Sequence, residues 1–377
     1  MRKYLLTLFI LVLVVEAMIG QAISLPPSGD NQKASVTQHI GLVTVTVDYS
    51  SPDVTGPNGE DRNGKIWGQL VPYGLTDLGF GLRTPGPWRA GANESTTIRF
   101  SNDVVVEGKP LKAGTYGLFL ITQETGPWTW IFSKNSTAWG AFFYQEKDDA
   151  LRVQVTPQEH AHTEWLTYNF TDRDPKETTL ELQWEQKSIP MRIAVPDLND
   201  LYIAQIDREL ENSPGFTSTN YAAAANFLLQ ENYKLEKALE WANASIDLPF
   251  TGQKSFTNIT TKANVLLKMG RKDEAMSSFE SAMKLSDAAP GTVHQLGRGL
   301  LGQGEKEMAL KVFQMNYDNA KGEWPTNVGM LRGLSAVGRY DDALKYAQAA
   351  LAQAPDDVNK KNINGMIEKL KNKQDVN

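Results

Sequence analysis

The sequence predicts a chain of two halves that differ in fold class: an N-terminal antiparallel β-sandwich or barrel-like domain over 34–196, followed by a C-terminal α-helical superhelix over 197–377. Three observations carry this. From Ala34 to Val195, apolar and polar side chains alternate in short runs, the period of half-buried strands. After Asp197 that β-branched alternation stops and alanine becomes frequent. Within the second half, small residues recur at a spacing near 34 residues, the mark of stacked helix pairs.

The first residues read as an address rather than as fold. Arg2 and Lys3 precede an apolar run from Leu5 to Val15 that only Thr7 interrupts, and Gly20 and Ala22 supply a small-x-small pattern. This is the pattern of a secretory signal peptide, residues 1–22, cleaved near Ala22. The competing reading is a membrane anchor, but the run is about half of the ~20 residues a spanning helix needs, and Glu16 closes it. Residues 23–33, with Pro26, Pro27, Ser28 and Gly29, read as a flexible leader. Export to the periplasm or beyond the cell is therefore expected. No later segment is apolar enough to span a membrane, so the mature chain is expected to be soluble.

Composition narrows the function classes. Of the 377 residues, 41% are hydrophobic and 22% charged, the balance of a globular chain. The formal charge of −6 lacks the basic footprint of a nucleic-acid binder and disfavours anionic lipid. No cysteine is present, which excludes disulfides, thiolate metal sites and cysteine nucleophiles. Five Asn-x-Ser/Thr triplets, among them Asn93-Glu94-Ser95 and Asn258-Ile259-Thr260, read as chance.

In the β half, Val43, Val45 and Val47 alternate with Thr44, Thr46 and Asp48. The same texture covers Thr96–Phe100, Thr115–Ile121, Trp128–Phe132, Leu151–Val155, Trp165–Phe170 and Leu180–Trp184, with Pro190–Pro196 as a last strand running into a connector. Turn signals separate them at Pro57-Asn58-Gly59, Glu107-Gly108-Lys109-Pro110, Ala113-Gly114 and Gly126-Pro127. In the helical half, Ala238, Ala275, Ala309 and Ala343 are spaced by 37, 34 and 34 residues, and Gly270, Gly304 and Gly338 each precede the alanine by five. Pro249, Pro290, Pro325 and Pro355 fall after each second helix. A small residue where helix backbones approach, a glycine in the turn and a 34-residue period together form the tetratricopeptide pattern. The first unit has Tyr233 where the others have glycine, and Lys360–Lys373 is expected to form the polar capping helix of the array.

Several β-half segments carry a resemblance. Ala34–Gln38, Val45–Ser50, Ile66–Gly74, Trp88–Glu94 and Lys109–Tyr116 resemble an uncharacterised bacterial family, the domain of unknown function 2911, over roughly 34–195, with Trp88–Glu94 the most specific stretch. The resemblance implies an exported, all-β domain, typically of Bacteroidetes-like bacteria and sometimes followed by helical repeats, and implies no activity. Two departures stand out. The family usually passes almost directly from the Pro-Tyr-Gly segment into Trp-Arg, whereas here about Leu75–Pro87 is inserted; and it often has arginine where this chain has Ser51.

Candidate chemistry concentrates in a few places. Trp88, Arg89, Asn93 and Glu94 form the densest polar–aromatic cluster. Arg89 suits an anionic or sugar ligand, with Asn93 orienting it and Glu94 as acid or base; the alternative is a structural network in which Arg89 pairs with Glu94 and Asn93 caps a turn. If extended, His160, His162 and Glu164 project from one face and could chelate a divalent metal; otherwise they are a solvated strand end. Trp67, Trp88, Trp128, Trp130, Trp139, Trp165 and Trp184 offer either sugar-stacking platforms or one buried face. Gly-x-Ser-x-Gly, His-Glu-x-x-His, phosphate-loop and dinucleotide motifs are absent. The expectation is an exported, non-enzymatic interaction or scaffold protein, its array binding a protein partner and its β domain a partner or small ligand, with no cofactor except a candidate divalent metal at the histidine strand. The alternative is a glycan-binding module or hydrolase-like enzyme built on Arg89, Asn93 and Glu94.

Overall fold

The computed structural model describes residues 31–377 apart from Ser286 and Lys321. The expected signal segment and the expected leader up to residue 30 lie outside the described residues. The chain divides after Leu198 into two compact units.

The first unit is built from β1 (Gln32–Ile40), β2 (Val43–Ser51), β3 (Thr97–Phe100), β4 (Val104–Val106), β5 (Lys109–Leu111), β6 (Gly114–Ile121), β7 (Trp128–Ser133), β8 (Asp149–Val155), β9 (Gln158–Asp174) and β10 (Glu177–Ala194). They form an antiparallel six-stranded sheet in the order β1-β2-β3-β6-β7-β8 and a four-stranded sheet in the order β5-β4-β10-β9. The alternation decides the faces: Val43, Val45 and Val47 of β2 are fully buried, as are Leu166, Tyr168 and Phe170 of β9 and Leu180, Leu182 and Trp184 of β10. Trp130 of β7 meets Tyr168 of β9 at 6.5 Å between ring centroids, so the sheets face each other as a sandwich. The outer face of β6 and β7 is covered as well, because Phe119 and Ile131 pack on Ala141 and Tyr144 of the following loop.

Two boundaries differ from the sequence expectation. β1 begins at Gln32, inside the stretch expected to be leader. Leu180–Trp184 and Pro190–Val195 belong largely to one strand, β10. The proline is accommodated because β10 stops pairing with β9 at Ser188 and meets β4 only from Ile193, so no ladder bond needs the missing N–H. The register with β9 shifts on both sides of Glu185, whose φ of 52° marks a bulge.

The second unit contains α1 (Leu198–Leu210) and four antiparallel pairs: α2 (Ser218–Glu231) with α3 (Leu235–Asp247), α4 (Phe256–Lys268) with α5 (Lys272–Ala282), α6 (Pro290–Gly302) with α7 (Lys306–Asn319), and α8 (Trp324–Ala336) with α9 (Tyr340–Gln353). α10 (Asp357–Lys371) follows, begun by the Asp356 carboxylate, which accepts from Asn359 N. Ala238, Ala275, Ala309 and Ala343 have no exposed surface. Gly270, Gly304 and Gly338 take φ near +80° in the intra-pair turns. Where Tyr233 replaces the glycine, its neighbours Asn232 and Lys234 adopt the left-handed conformation instead. Asn258 is fully buried in α4, its amide donating to Ser245 O and Gln253 O, so its triplet is structural.

The closest helix contacts surround Phe313 of α7. A Cβ on Gly297, Gly329 or Gly333 would lie 2.3, 2.6 or 2.9 Å from its ring. Three glycines from α6 and α8 thus enclose one buried aromatic, and the ring has nowhere to retreat. Gly297→Ala is therefore expected to destabilise the chain by about 1–3 kcal/mol through overpacking, despite a helix-propensity gain of about 1 kcal/mol. Gly299→Ala, with open space around its Cβ, should show the propensity gain alone. Urea unfolding of the two variants separates these outcomes.

Candidate functional site

Between β2 and β3 the chain runs through 45 residues without a regular strand. Four indoles fix this stretch to the sandwich. Trp67 lies 5.7 Å from Trp88, 4.9 Å from Trp128 and 5.8 Å from Trp184, and Trp88 stacks on Trp184 at 5.9 Å. Trp88 also exchanges both backbone hydrogen bonds with Leu120 of β6. A cavity of about 270 Å³ opens beside these rings, walled by Arg62, Val71, Thr76, Pro87, Trp88 and Arg89 among others.

Arg89 is the charged centre of that cavity. Its Nη1 donates to Asn93 O at 2.8 Å, and its guanidinium carbon stands 5.9 Å from the Phe142 ring centroid. No carboxylate pairs with it among the described residues. Burial alone pulls its pKa below the ordinary arginine value, the signature of a cation short of solvent and of a counter-charge. A Cβ on Gly140 would meet Arg89 Nη1 at 2.5 Å, so glycine is what lets the loop after β7 close over the guanidinium. That loop is braced by Tyr144, which donates to Asp149 Oδ2, while Arg152 bonds both. Arg62, the other cation of the cavity, is paired with Glu60 at 2.8 Å.

The inserted loop builds one wall. Thr76 and Gly86 close it by a pair of 3.0 Å backbone bonds, Leu82 N donates to Phe142 O, and Phe80 rests against Phe142 at 5.4 Å.

The predicted cluster is split. Glu94 does not pair with Arg89. Its carboxylate binds Lys33 Nζ at 2.7 Å and accepts from Ser50, at a separate cleft with Ser35, Asp48 and Tyr49. The Lys33 ammonium holds the Glu94 carboxyl below the usual carboxylate range, so it is an acceptor and not an acid at neutral pH. Asn93 lies between the two, its side-chain oxygen accepting from Asn31 at 3.4 Å. The separation comes from the backbone: Ala90 and Asn93 both take left-handed φ, near +50° and +56°.

His162 and Glu164 meet at 3.1 Å, and Glu164 Oε1 also accepts from Thr55 N. His160 bonds instead to Ala161 O of its own strand. Among the described residues no group of three or more His, Asp or Glu side chains is placed to hold a metal ion. Of the tryptophans, Trp139 and Trp165 are exposed at 55% and 44%, while Trp128, Trp130 and Trp184 are buried.

Residues 31–193 match the family described as a protein of unknown function, DUF2911. The match spans the sandwich from β1 into β10, so the cavity and the Glu94 cleft both belong to the DUF2911 region. No curated protein matches the sequence. Among solved structures, the chain is similar to YrrB, described as a TPR protein with an unusual peptide-binding site, at 20% identity over 45% of this chain and 86% of that one, with a TM-score of 0.28. It is also similar to a thermophilic TPR protein of Thermus thermophilus, at 16% identity over 45% and 90%, with a TM-score of 0.30. A tetratricopeptide repeat protein of Parabacteroides merdae is 13% identical over 47% and 68%, with a TM-score of 0.30.

Sequence reasoning missed the polar cluster in the array. His294 of α6 is buried against Phe313, 5.6 Å between ring centroids, and its Nδ1 has no partner. Burial first, then the neighbouring charges of Arg332 and Arg298, push its pKa down to about 4, against a backbone bond to Pro325. One signal was available: Arg298 and Arg332 stand 34 residues apart and occupy equivalent repeat positions on α6 and α8. Because the folded value lies below the unfolded 6.5, this histidine supports the fold above pH 6.5, and the support is lost as pH falls toward 4. The whole window is worth about 3 kcal/mol. Urea unfolding followed by the helical far-UV signal should show that loss in the wild type and a flatter profile in His294→Gln.

Proposed function

We propose that this chain is an exported, non-enzymatic interaction protein in which the helical array docks a segment of a partner protein and the β unit holds a small anionic ligand in the Arg89 cavity. The observation that carries the β-unit reading is Arg89 itself: a largely desolvated guanidinium, open to a walled cavity and without a carboxylate among the described residues. A guanidinium presents planar, paired donors, which suit a carboxylate or phosphate, and the edge of Trp88 offers an apolar surface beside it. The described lining holds two arginines and no carboxylate or imidazole, a set that retains an anion rather than moves a proton. Glu94, the acid or base of the alternative enzyme reading, faces Lys33 in the other cleft. For the array, stacked helix pairs leave extended faces, and a cleft among α7, α8 and α9 is edged by Tyr317, Tyr346, Lys311 and Arg339.

Tryptophan fluorescence offers a direct test, since Trp88 borders the cavity. Benzoate and phenyl phosphate are expected to give saturable titrations with the wild-type chain and to bind at least about tenfold more weakly to Arg89→Gln, the cost of one charge-assisted pair. Neutral benzyl alcohol should bind no better to one than to the other. Equal binding of benzoate by Arg89→Gln and wild type would remove the anion reading.

A further inference from the structure

The chain after α10 folds back onto the array. Lys373 takes a left-handed φ of 53°, and Gln374 N bonds Lys369 O, which turns the backbone off the helix end. The next residues run along α8. Asp375 Oδ1 accepts from Ser335 Oγ at 3.0 Å, and the same hydroxyl accepts from Val376 N at 3.0 Å. Val376 is 7% exposed and belongs to the array's apolar core. The Asn377 amide then grips Arg332 from both ends, its Nδ2 donating to Arg332 O at 3.1 Å and its Oδ1 accepting from Arg332 Nη1 at 3.2 Å.

These are the contacts of a bound peptide: a backbone N–H satisfied by the host, one apolar side chain in a pocket, and polar side chains read on either side. The α8 groups that receive the segment's polar contacts are the Ser335 hydroxyl and the Arg332 carbonyl and guanidinium. The face is also cationic. Arg332 is partly buried with an unpartnered Nε, Arg298 repeats it one unit earlier without a carboxylate partner among the described residues, and His294 lies between. Asp375 is the acidic group that this face receives.

We propose that the face of α6 and α8 around Arg298, Arg332 and Ser335 is the array's peptide seat, that it takes an extended partner segment bearing a carboxylate, then a small aliphatic side chain, then an amide, and that Asp375–Asn377 occupies it as the chain's own competitor. The proposal rests on the reading of the array as a protein-docking unit and names which face and which chemistry. A seated internal segment holds the site at high effective concentration, so a partner must displace it. Arg298 adds a second cation to the seat, next to Arg332.

The experiment uses a fluorescent peptide with the sequence of Lys371–Asn377, amidated so that Asp375 supplies its only carboxylate, and reads anisotropy. The full chain carrying Val376→Asp, or lacking Gln374–Asn377, is expected to bind the peptide saturably and at least tenfold more tightly than the wild type. Arg332→Glu added to either background should abolish that binding while far-UV circular dichroism stays unchanged. Binding that is equal in wild type and Val376→Asp, or absent up to millimolar peptide in both unseated variants, overturns the seat. If the unseated variants fail in this way yet still retain a partner protein that the wild type also retains, the docking role of the array survives on another face and only the seat is lost.

Discussion

The contact among Trp67, Trp88, Trp128 and Trp184 is the constraint on which the geometry around Arg89 depends. Two of these indoles come from the long irregular stretch and two from β7 and β10, so the cluster ties a segment with little hydrogen-bonded regularity to both sheets. The attachment has a cost. The Nε1 groups of Trp67 and Trp184 are buried without partners, at about 1–3 kcal/mol each. Burying about 150–250 Å² of indole returns roughly 4–6 kcal/mol per ring at about 25 cal/mol per Å², so the cluster holds. With Trp88 paired to Leu120 and stacked on Trp184, the position of Arg89 is decided by the covalent chain.

Much of the architecture was legible in the sequence, and the reasons it was legible differ between the halves. The array announced itself because close helix approach demands small residues, and Ala275, Ala309 and Ala343 must recur wherever the pairs cross. The strands were legible because a buried face forces a period of two. The continuity of β10 was not, because Pro190 reads as a break until the pairing partners on either side are known. The separation of Arg89 from Glu94 was not legible either. Five positions apart, they are near neighbours on paper, but Ala90 and Asn93 between them take left-handed φ; asparagine favours that conformation, whereas nothing about alanine announces it. The polar run after α10 hid Val376 for a similar reason: one aliphatic residue among amides and charges carries no periodicity.

Glycine and alanine set different things in the array. The alanines of α5, α7 and α9 let neighbouring helices approach, which fixes the repeat. Gly297, Gly329 and Gly333 instead make room for one ring, Phe313, and that ring in turn backs His294. The polar face formed by His294, Arg298 and Arg332 therefore rests on an apolar layer in which Phe313 has no room to shift.

The two arginines at the centre of the proposed sites follow one logic in two folds. Four other arginines pair locally: Arg62 with Glu60, Arg152 with Asp149, Arg271 with Glu274, Arg339 with Asp342. Exposed pairs of this kind contribute little to stability, and their main effect is to leave no charge wanting a partner. Arg89 and Arg332 are the more buried and have no such ion pair. A partly buried guanidinium without an ion pair carries a desolvation cost. What a guanidinium offers there, and an aliphatic side chain does not, is affinity for an anion brought from outside the unit's own core. In the array an acidic residue of the chain's own folded-back segment, Asp375, already reaches that face. In the β unit the proposed ligand is the corresponding anion.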